Sequence, residues 1–277
     1  MLKSSRISFS LLIAIITFIS NSLAQVTISP TSLFIDNQRR FETLLVLNST
    51  EDPQEVTISY HFGYPVSDSY GNLTMNYTDT ELGADRSAAE WIKGFPKSFV
   101  LEPGKRQVVR LTAKPPKGLS DGVYWARLKT VSTNLTPAVG EIQQDKITAQ
   151  IKFRFEQVTG VFYKSGSVAT GLNITEIRNE ISDDNLSVYA DFKLSGNSPY
   201  LGSMILKIFN KSGKEIHEEI IFISIYFDGT RRIETDISAL SAGEYKAELS
   251  FITARADIPN ENLVHAEPTS QTFRFKN

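Results

Sequence analysis

The chain contains no cysteine, so no disulfide staples it and no thiolate serves as nucleophile, metal ligand or lipid attachment point. Its histidines, His61, His217 and His265, lie far apart and form neither a His-x-His nor a His-Glu-x-x-His spacing, so zinc has no ready ligand set. A Gly-x-Ser-x-Gly elbow and a glycine-rich phosphate loop are both missing. The acidic pairs Glu51-Asp52, Asp183-Asp184 and Glu218-Glu219 sit in or beside turn-like stretches, where solvated charge is expected in place of an acid/base pair. These absences point away from an enzyme, and no cofactor or metal is expected. Charge of either sign is not in excess, with 29 basic against 31 acidic residues and a formal net charge of −2, so there is no basic stripe to attract nucleic acid.

What is present begins with an export signature. Lys3 and Arg6 precede a short apolar run, Leu11 to Ile19, and Ser22-Leu23-Ala24 offers small residues for cleavage. The run is shorter than the roughly 20 residues a bilayer span needs, so cleavage after Ala24 is expected. No later segment is long and apolar enough to span either, and a soluble mature chain follows as an expectation. An exported chain of this size that dispenses with disulfides suits the bacterial periplasm. Seven Asn-x-Ser/Thr sites, at Asn48, Asn72, Asn76, Asn134, Asn173, Asn185 and Asn210, read as solvent-facing polar turns.

From Gln25 onward the hydrophobic pattern has a period of two. Val26 and Ile28 followed by Leu33 to Ile35 suggest a first strand with an irregularity at Pro30, and Leu44 to Leu47 and Val56 to Tyr60 suggest two more. Turn chemistry falls between the runs, at Asp52-Pro53, Gly71-Asn72, Pro103-Gly104, Pro115-Pro116 and Asp121-Gly122. Only Ser87 to Trp91 looks briefly helical. After Val158-Thr159-Gly160 a second set begins: Ser187–Leu194, Met204–Phe209, Ile220–Phe227, Arg231–Ile237, Tyr245–Ile252 and a closing alternation at Gln271 to Phe275. The expected fold is all-β: two tandem immunoglobulin-like β-sandwich domains, at 25–157 and 158–277, after a signal peptide at 1–24.

The cleanest alternation runs from Ile147 to Glu156. Ile147, Ala149, Ile151, Phe153 and Phe155 line one face of a strand, and Thr148, Gln150, Lys152, Arg154 and Glu156 the other. A strand with one face in a core explains this pattern by itself.

Two stretches carry a resemblance. Ser87 to Ile92, then Pro96, then Leu101-Glu102-Pro103-Gly104-Lys105-Arg106-Gln107-Val108-Val109-Arg110-Leu111, and after them Asp121-Gly122-Val123-Tyr124-Trp125-Ala126-Arg127-Leu128, resemble in order and spacing the first domain of periplasmic pilus-assembly chaperones of the PapD type. The Pro103-Gly104 pair independently suits a type II turn, proline fixing φ and glycine supplying a positive one.

The resemblance implies a periplasmic chaperone that binds a secreted, pilin-like subunit by lending it a β-strand, with an outer-membrane usher as a further partner. The lending strand would be the last of the first domain, with Ile147, Ala149, Ile151 and Phe153 as its apolar contacts. Lys152 matches the family lysine that holds the subunit's terminal carboxylate. The chain departs from the family pattern in two places. Ser32 stands where the family has a first-strand arginine, and the upstream donor positions are Asp145 and Gln143 in place of large apolar residues. A short or shifted donor strand follows, and an unpaired edge also invites weak self-association. A tandem structural or adhesive module that binds a surface ligand is the alternative function.

Overall fold

The computed structural model describes residues 26–135 and 153–277. The signal segment and most of the expected donor strand, including Ile147, Ala149, Ile151 and Lys152, lie outside the described residues.

The first sandwich packs two sheets face to face. One has the order β1 (Val26–Ser29), β3 (Phe41–Asn48), β9 (Arg106–Ala113), β7 (Ile92–Phe95). The other runs β2 (Ser32–Asp36), β11 (Arg154–Ser165), β10 (Gly122–Asn134), β4 (Gln54–His61), β8 (Ser98–Leu101). The irregularity expected at Pro30 is where the first strand changes sheets: β1 pairs antiparallel with β3, and past the proline β2 pairs parallel with β11. Period-two burial builds the core. Leu44 and Val46, Val109 and Leu111, Val56 and Ile58, Tyr124, Ala126 and Leu128 all point inward and are almost wholly buried. Each such aliphatic side chain contributes about 1.5–3 kcal/mol of transfer free energy.

Local chemistry sets the turns. Lys105 N donates to Glu102 O across Pro103-Gly104, and Gly104 has a φ of 67°, which is the expected type II turn. Asn48 departs from its expected place in an exposed polar turn. It is fully buried, its Nδ2 donating to Asp52 O and Leu101 O and its Oδ1 accepting from Thr50 N. The amide ties the end of β3 to β8, and that internal bonding is why a polar side chain is tolerated there.

The helix lies earlier than expected. Helix α1 spans Thr80–Arg86, capped by Asp79, whose carboxylate accepts from Leu82 N at 2.9 Å. Ser87 and Ala88 leave it to lie along β10, with Ala88 N donating to Trp125 O. Before the helix, the chain folds β5 (Tyr64–Ser67) against β6 (Leu73–Asn76) as a two-stranded ribbon outside both sheets.

Val158-Thr159-Gly160, after which the second set is expected, is interior to β11, which stays paired with β10 as far as Ser165. Thr159 and Val161 are fully buried in the first sandwich, which fixes the strand's course. The second sandwich then pairs β12 (Thr170–Ser182), β13 (Asn185–Gly196) and β16 (Gly229–Asp236) against β15 (Glu215–Ile225), β14 (Tyr200–Phe209), β17 (Glu244–Ile252) and β18 (Thr269–Lys276). Every strand expected there is present, and β12 is additional. A third cluster joins the sandwiches: Phe34, Tyr64, Val123, Trp125 and Phe162 from the first meet Leu201, Tyr226, Ile258 and Leu263 from the second.

Candidate functional site

Strand β11 is bonded differently along its two edges. Its pairing with β10 is continuous from Arg154 to Ser165, but β2 meets it only from Gly160 to Lys164. From Arg154 to Thr159 the second edge has no strand partner among the described residues. One side-chain contact reaches across, from Gln157 Nε2 to Val26 O at 2.5 Å. Backbone N–H and C=O groups on such an edge are ready to bond another strand.

The side chains on this half of β11 obey the alternation read from the sequence. Phe153 and Phe155 stack on the same side, their ring centroids 6.1 Å apart, and Phe153 is 44% exposed. Thr159 and Val161 continue that side into the core. That side therefore runs from the core through polar Thr159 and Gln157 and becomes apolar again at Phe155 and Phe153, its outer end. On the other side Glu156 accepts from Lys129 of β10 at 2.9 Å and from Arg154 at 2.6 Å. The hydrogen bond from Lys129, followed by the charges of both cations, holds the Glu156 carboxyl below the usual carboxylate range.

Beside this pair, two residues along β10 on the same face as Lys129, stands a second cation, Arg127. Arg127 is the β10 partner of Gly160, and a Cβ built on Gly160 would stand 3.4 Å from its Nη1. The closer neighbour of such a Cβ is the Phe162 ring, at 2.9 Å. Arg127 Nε donates to Gly63 O at 2.9 Å, and the guanidinium lies 5.0 Å from the ring centre of Tyr226, reaching from one sandwich to the other. Its Nη2 has no hydrogen-bond partner among the described residues, and neither has the hydroxyl of Tyr226. Burial pushes the Tyr226 phenol up.

Of the residues expected to act, Phe153 is at the exposed end of the β11 row. Ile147, Ala149, Ile151 and Lys152 lie outside the described residues. The β2–β11 register sets Ser32 opposite Gly160. Sequence reasoning missed Arg127 and Lys129. The alternation of Tyr124, Ala126 and Leu128 inward puts Arg127 and Lys129 on the opposite face, so a period-two reading of β10 could have found them. The histidines are dispersed, His61 bonding Ser59 Oγ at 2.9 Å and His217 bonding Thr235 Oγ1 at 2.5 Å.

A cavity of about 920 Å³ opens beside Lys129, with His61, Phe62, Tyr77, Asp79 and Trp91 also in its lining. Asp79 is fixed there by Tyr64, whose hydroxyl donates to its Oδ2 at 2.6 Å. Burial and the neighbouring carboxylate push the Tyr64 phenol up to about 12.

No family model matches the chain, and neither does any curated protein. Solved structures do. The CsuC–CsuE chaperone–tip adhesion subunit pre-assembly complex of Acinetobacter baumannii is matched at 14% identity, covering 89% of this chain and 98% of that one, with a TM-score of 0.44. The SafB chaperone in complex with the SafA pilin, from Salmonella enterica, is matched at 13% identity over 92% and 99% of the two chains, with a TM-score of 0.44. The YadV chaperone is matched at 13% identity over 91% and 100%, with a TM-score of 0.42. Each of these three solved structures contains a chaperone to which the chain is similar.

Proposed function

We propose that the chain is a periplasmic chaperone, without catalytic activity, that binds and stabilises a secreted pilin-like subunit by lending it the edge of β11. The observation that carries this reading is the unpaired edge from Arg154 to Thr159, backed by the outward row of Phe155 and Phe153. A client strand would bond the free backbone groups, and the apolar row would fill the groove such a strand leaves open in an incomplete sandwich. Ile151, Ala149 and Ile147 would prolong the row, and Lys152 would hold a client carboxylate. Handing the client to an outer-membrane usher belongs to the same reading.

The test is co-expression with a secreted β subunit encoded beside this chain. Wild-type protein should keep the subunit intact and copurify with it. Ile151→Asp combined with Lys152→Ala should lose it, with circular dichroism unchanged. Copurification of subunit with a folded double variant would contradict strand lending.

A further inference from the structure

Inside the first sandwich, the half that lies under the open edge of β11 is polar. On the inward face of β10, Tyr124, Ala126 and Leu128 give way to Thr130 and Ser132, and on β11 Val161 gives way to Thr159 and Gln157. Thr130 is 1%, Ser132 1% and Thr159 0% exposed, and none of their three hydroxyls has a hydrogen-bond partner among the described residues. Buried polar groups are normally paired, and an unpaired one destabilises the fold. Apolar side chains would fit this layer, since the adjoining strand β4 carries Ile58 beside Thr130 and Val56 beside Ser132.

Gln157 stands among these hydroxyls. Thr130 is its cross-strand partner on β10, where Cβ atoms lie about 4.5–5.5 Å apart, and Thr159 lies two residues along β11 on the same face. A glutamine side chain is long enough to reach either. The amide is turned the other way: its Nε2 donates to Val26 O of β1, the edge strand of the opposite sheet. That bond spans the opening between β1 and the unpaired part of β11, the side on which a further strand would add. Gln157 is only half-buried there, so an incoming side chain can meet it.

We infer that Gln157 is the gate of the lending edge. In the free chain its amide closes the opening by bonding Val26 O. On binding, a neutral donor side chain of the client strand, a hydroxyl or an amide, takes that bond, and Gln157 turns inward to pair with Thr130 and Thr159. The inference rests on the strand-lending reading. The exchange gives buried hydroxyls partners in the complex that they lack in the free chain. The groups around the gate, hydroxyls, an amide and a backbone carbonyl, are uncharged, which suits a neutral donor. The client strand would thus carry one polar inward residue at the level of Gln157, and apolar ones further out, beside Phe155 and Phe153.

The experiment uses the mature chain and the same secreted β subunit. Thr130→Val with Thr159→Val replaces each hydroxyl by a methyl group of similar shape. The free variant should keep or raise the thermal midpoint, because two unpaired buried hydroxyls are gone. Its affinity for the subunit should nevertheless fall roughly ten-fold or more, because the displaced Gln157 amide then finds no partner. In the wild-type chain the side-chain amide resonances of Gln157 should shift when the subunit binds. Unchanged affinity of the double variant, or Gln157 resonances that stay in place in a formed complex, would overturn the gate. A lowered midpoint would overturn it too, since the hydroxyls would then be paired already in the free chain. Phe155→Asp is run alongside, with circular dichroism to show that it folds. If it loses the subunit while the valine variant binds normally, strand lending stands and the gate falls. If it binds normally, strand lending itself falls.

Discussion

Gly160 of β11 is the cross-strand partner of Arg127 on β10, and a Cβ there would come within 2.9 Å of the Phe162 ring and 3.4 Å of the Arg127 guanidinium. The position needs its missing side chain for space, since its φ lies outside the left-handed region. Gly160→Ala should therefore destabilise the first sandwich by about 1–3 kcal/mol, the usual range for overpacking. Gly104→Ala offers a contrast, because nothing lies within 4 Å of the added carbon and only its φ of 67° is penalised. That change should cost about 1–2 kcal/mol. Urea denaturation of the two variants measures both effects. A Gly160→Ala protein as stable as wild type would show that Arg127 and Phe162 yield without strain.

Asn48 replaces a hydrophobic side chain at the inner end of β3 because its amide answers two carbonyls and a backbone N–H. Asn48→Leu keeps roughly the volume and removes those bonds. It should lower stability by about 1–3 kcal/mol, the penalty for leaving a buried polar group unpaired. For the same reason Asn48 should remain unmodified in any host that glycosylates Asn-x-Ser/Thr sites, whereas exposed Asn173 and Asn185 are accessible. Denaturation curves and intact mass report the two outcomes.

Trp125 reports on the junction of the sandwiches. It stacks on Phe62 at 5.5 Å and meets Tyr226 edge-on at 4.9 Å, whereas Trp91 packs in the first core against Tyr124 and Tyr163. In a Trp91→Phe background, Tyr226→Ala should shift Trp125 emission to longer wavelength as water reaches it. Far-ultraviolet circular dichroism should stay the same. An unchanged emission maximum would show that the junction closes over the lost ring.

Alkaline pH should expose the buried phenols. Burial pushes Tyr60 and Tyr64 up to about 12 and raises Tyr226 and Tyr200 as well. A raised folded pKa contributes stability that is complete below the unfolded value of about 10 and is lost as pH climbs through the folded value. The thermal midpoint should thus fall between about pH 10 and pH 12. Tyrosinate absorbance should rise in step with unfolding for this group of residues. Normal titration of all the tyrosines in folded protein would contradict their burial.

The sequence revealed what period-two patterning and turn chemistry encode. Most strands of both sandwiches, the break at Pro30 and the turn at Pro103-Gly104 were legible because each depends on nearby residues, whereas the four-residue strands β7 and β8 on either side of Pro96 are too short to show an alternation. Strand β12 was not, because Thr170 to Ser182 carries Asn and Glu and lies at a sheet edge where alternation is weak. The helix was placed late because Ser87 to Trp91 looks helical by composition, although Asp79 supplies the cap that starts it earlier. The continuity of β11 through Gly160 lies in its pairing with β10, where the partner, Arg127, is 33 positions back along the chain. The ribbon β5–β6 was not legible for a similar reason, since Thr230 and Arg178, which bond Ser67 and Ser69, belong to the other sandwich.

Backbone hydrogen exchange along β11, with and without the secreted β subunit, tests the central claim most directly. In the free chain the amides of Gly160 to Lys164, flanked by β2 and β10, should exchange slowly. Among Arg154 to Thr159, those directed to the open edge should exchange fast. Binding the subunit should slow the open-edge amides of Arg154 to Thr159 and leave Gly160 to Lys164 unchanged. Unchanged exchange from Arg154 to Thr159 in a stable complex would contradict strand lending by β11.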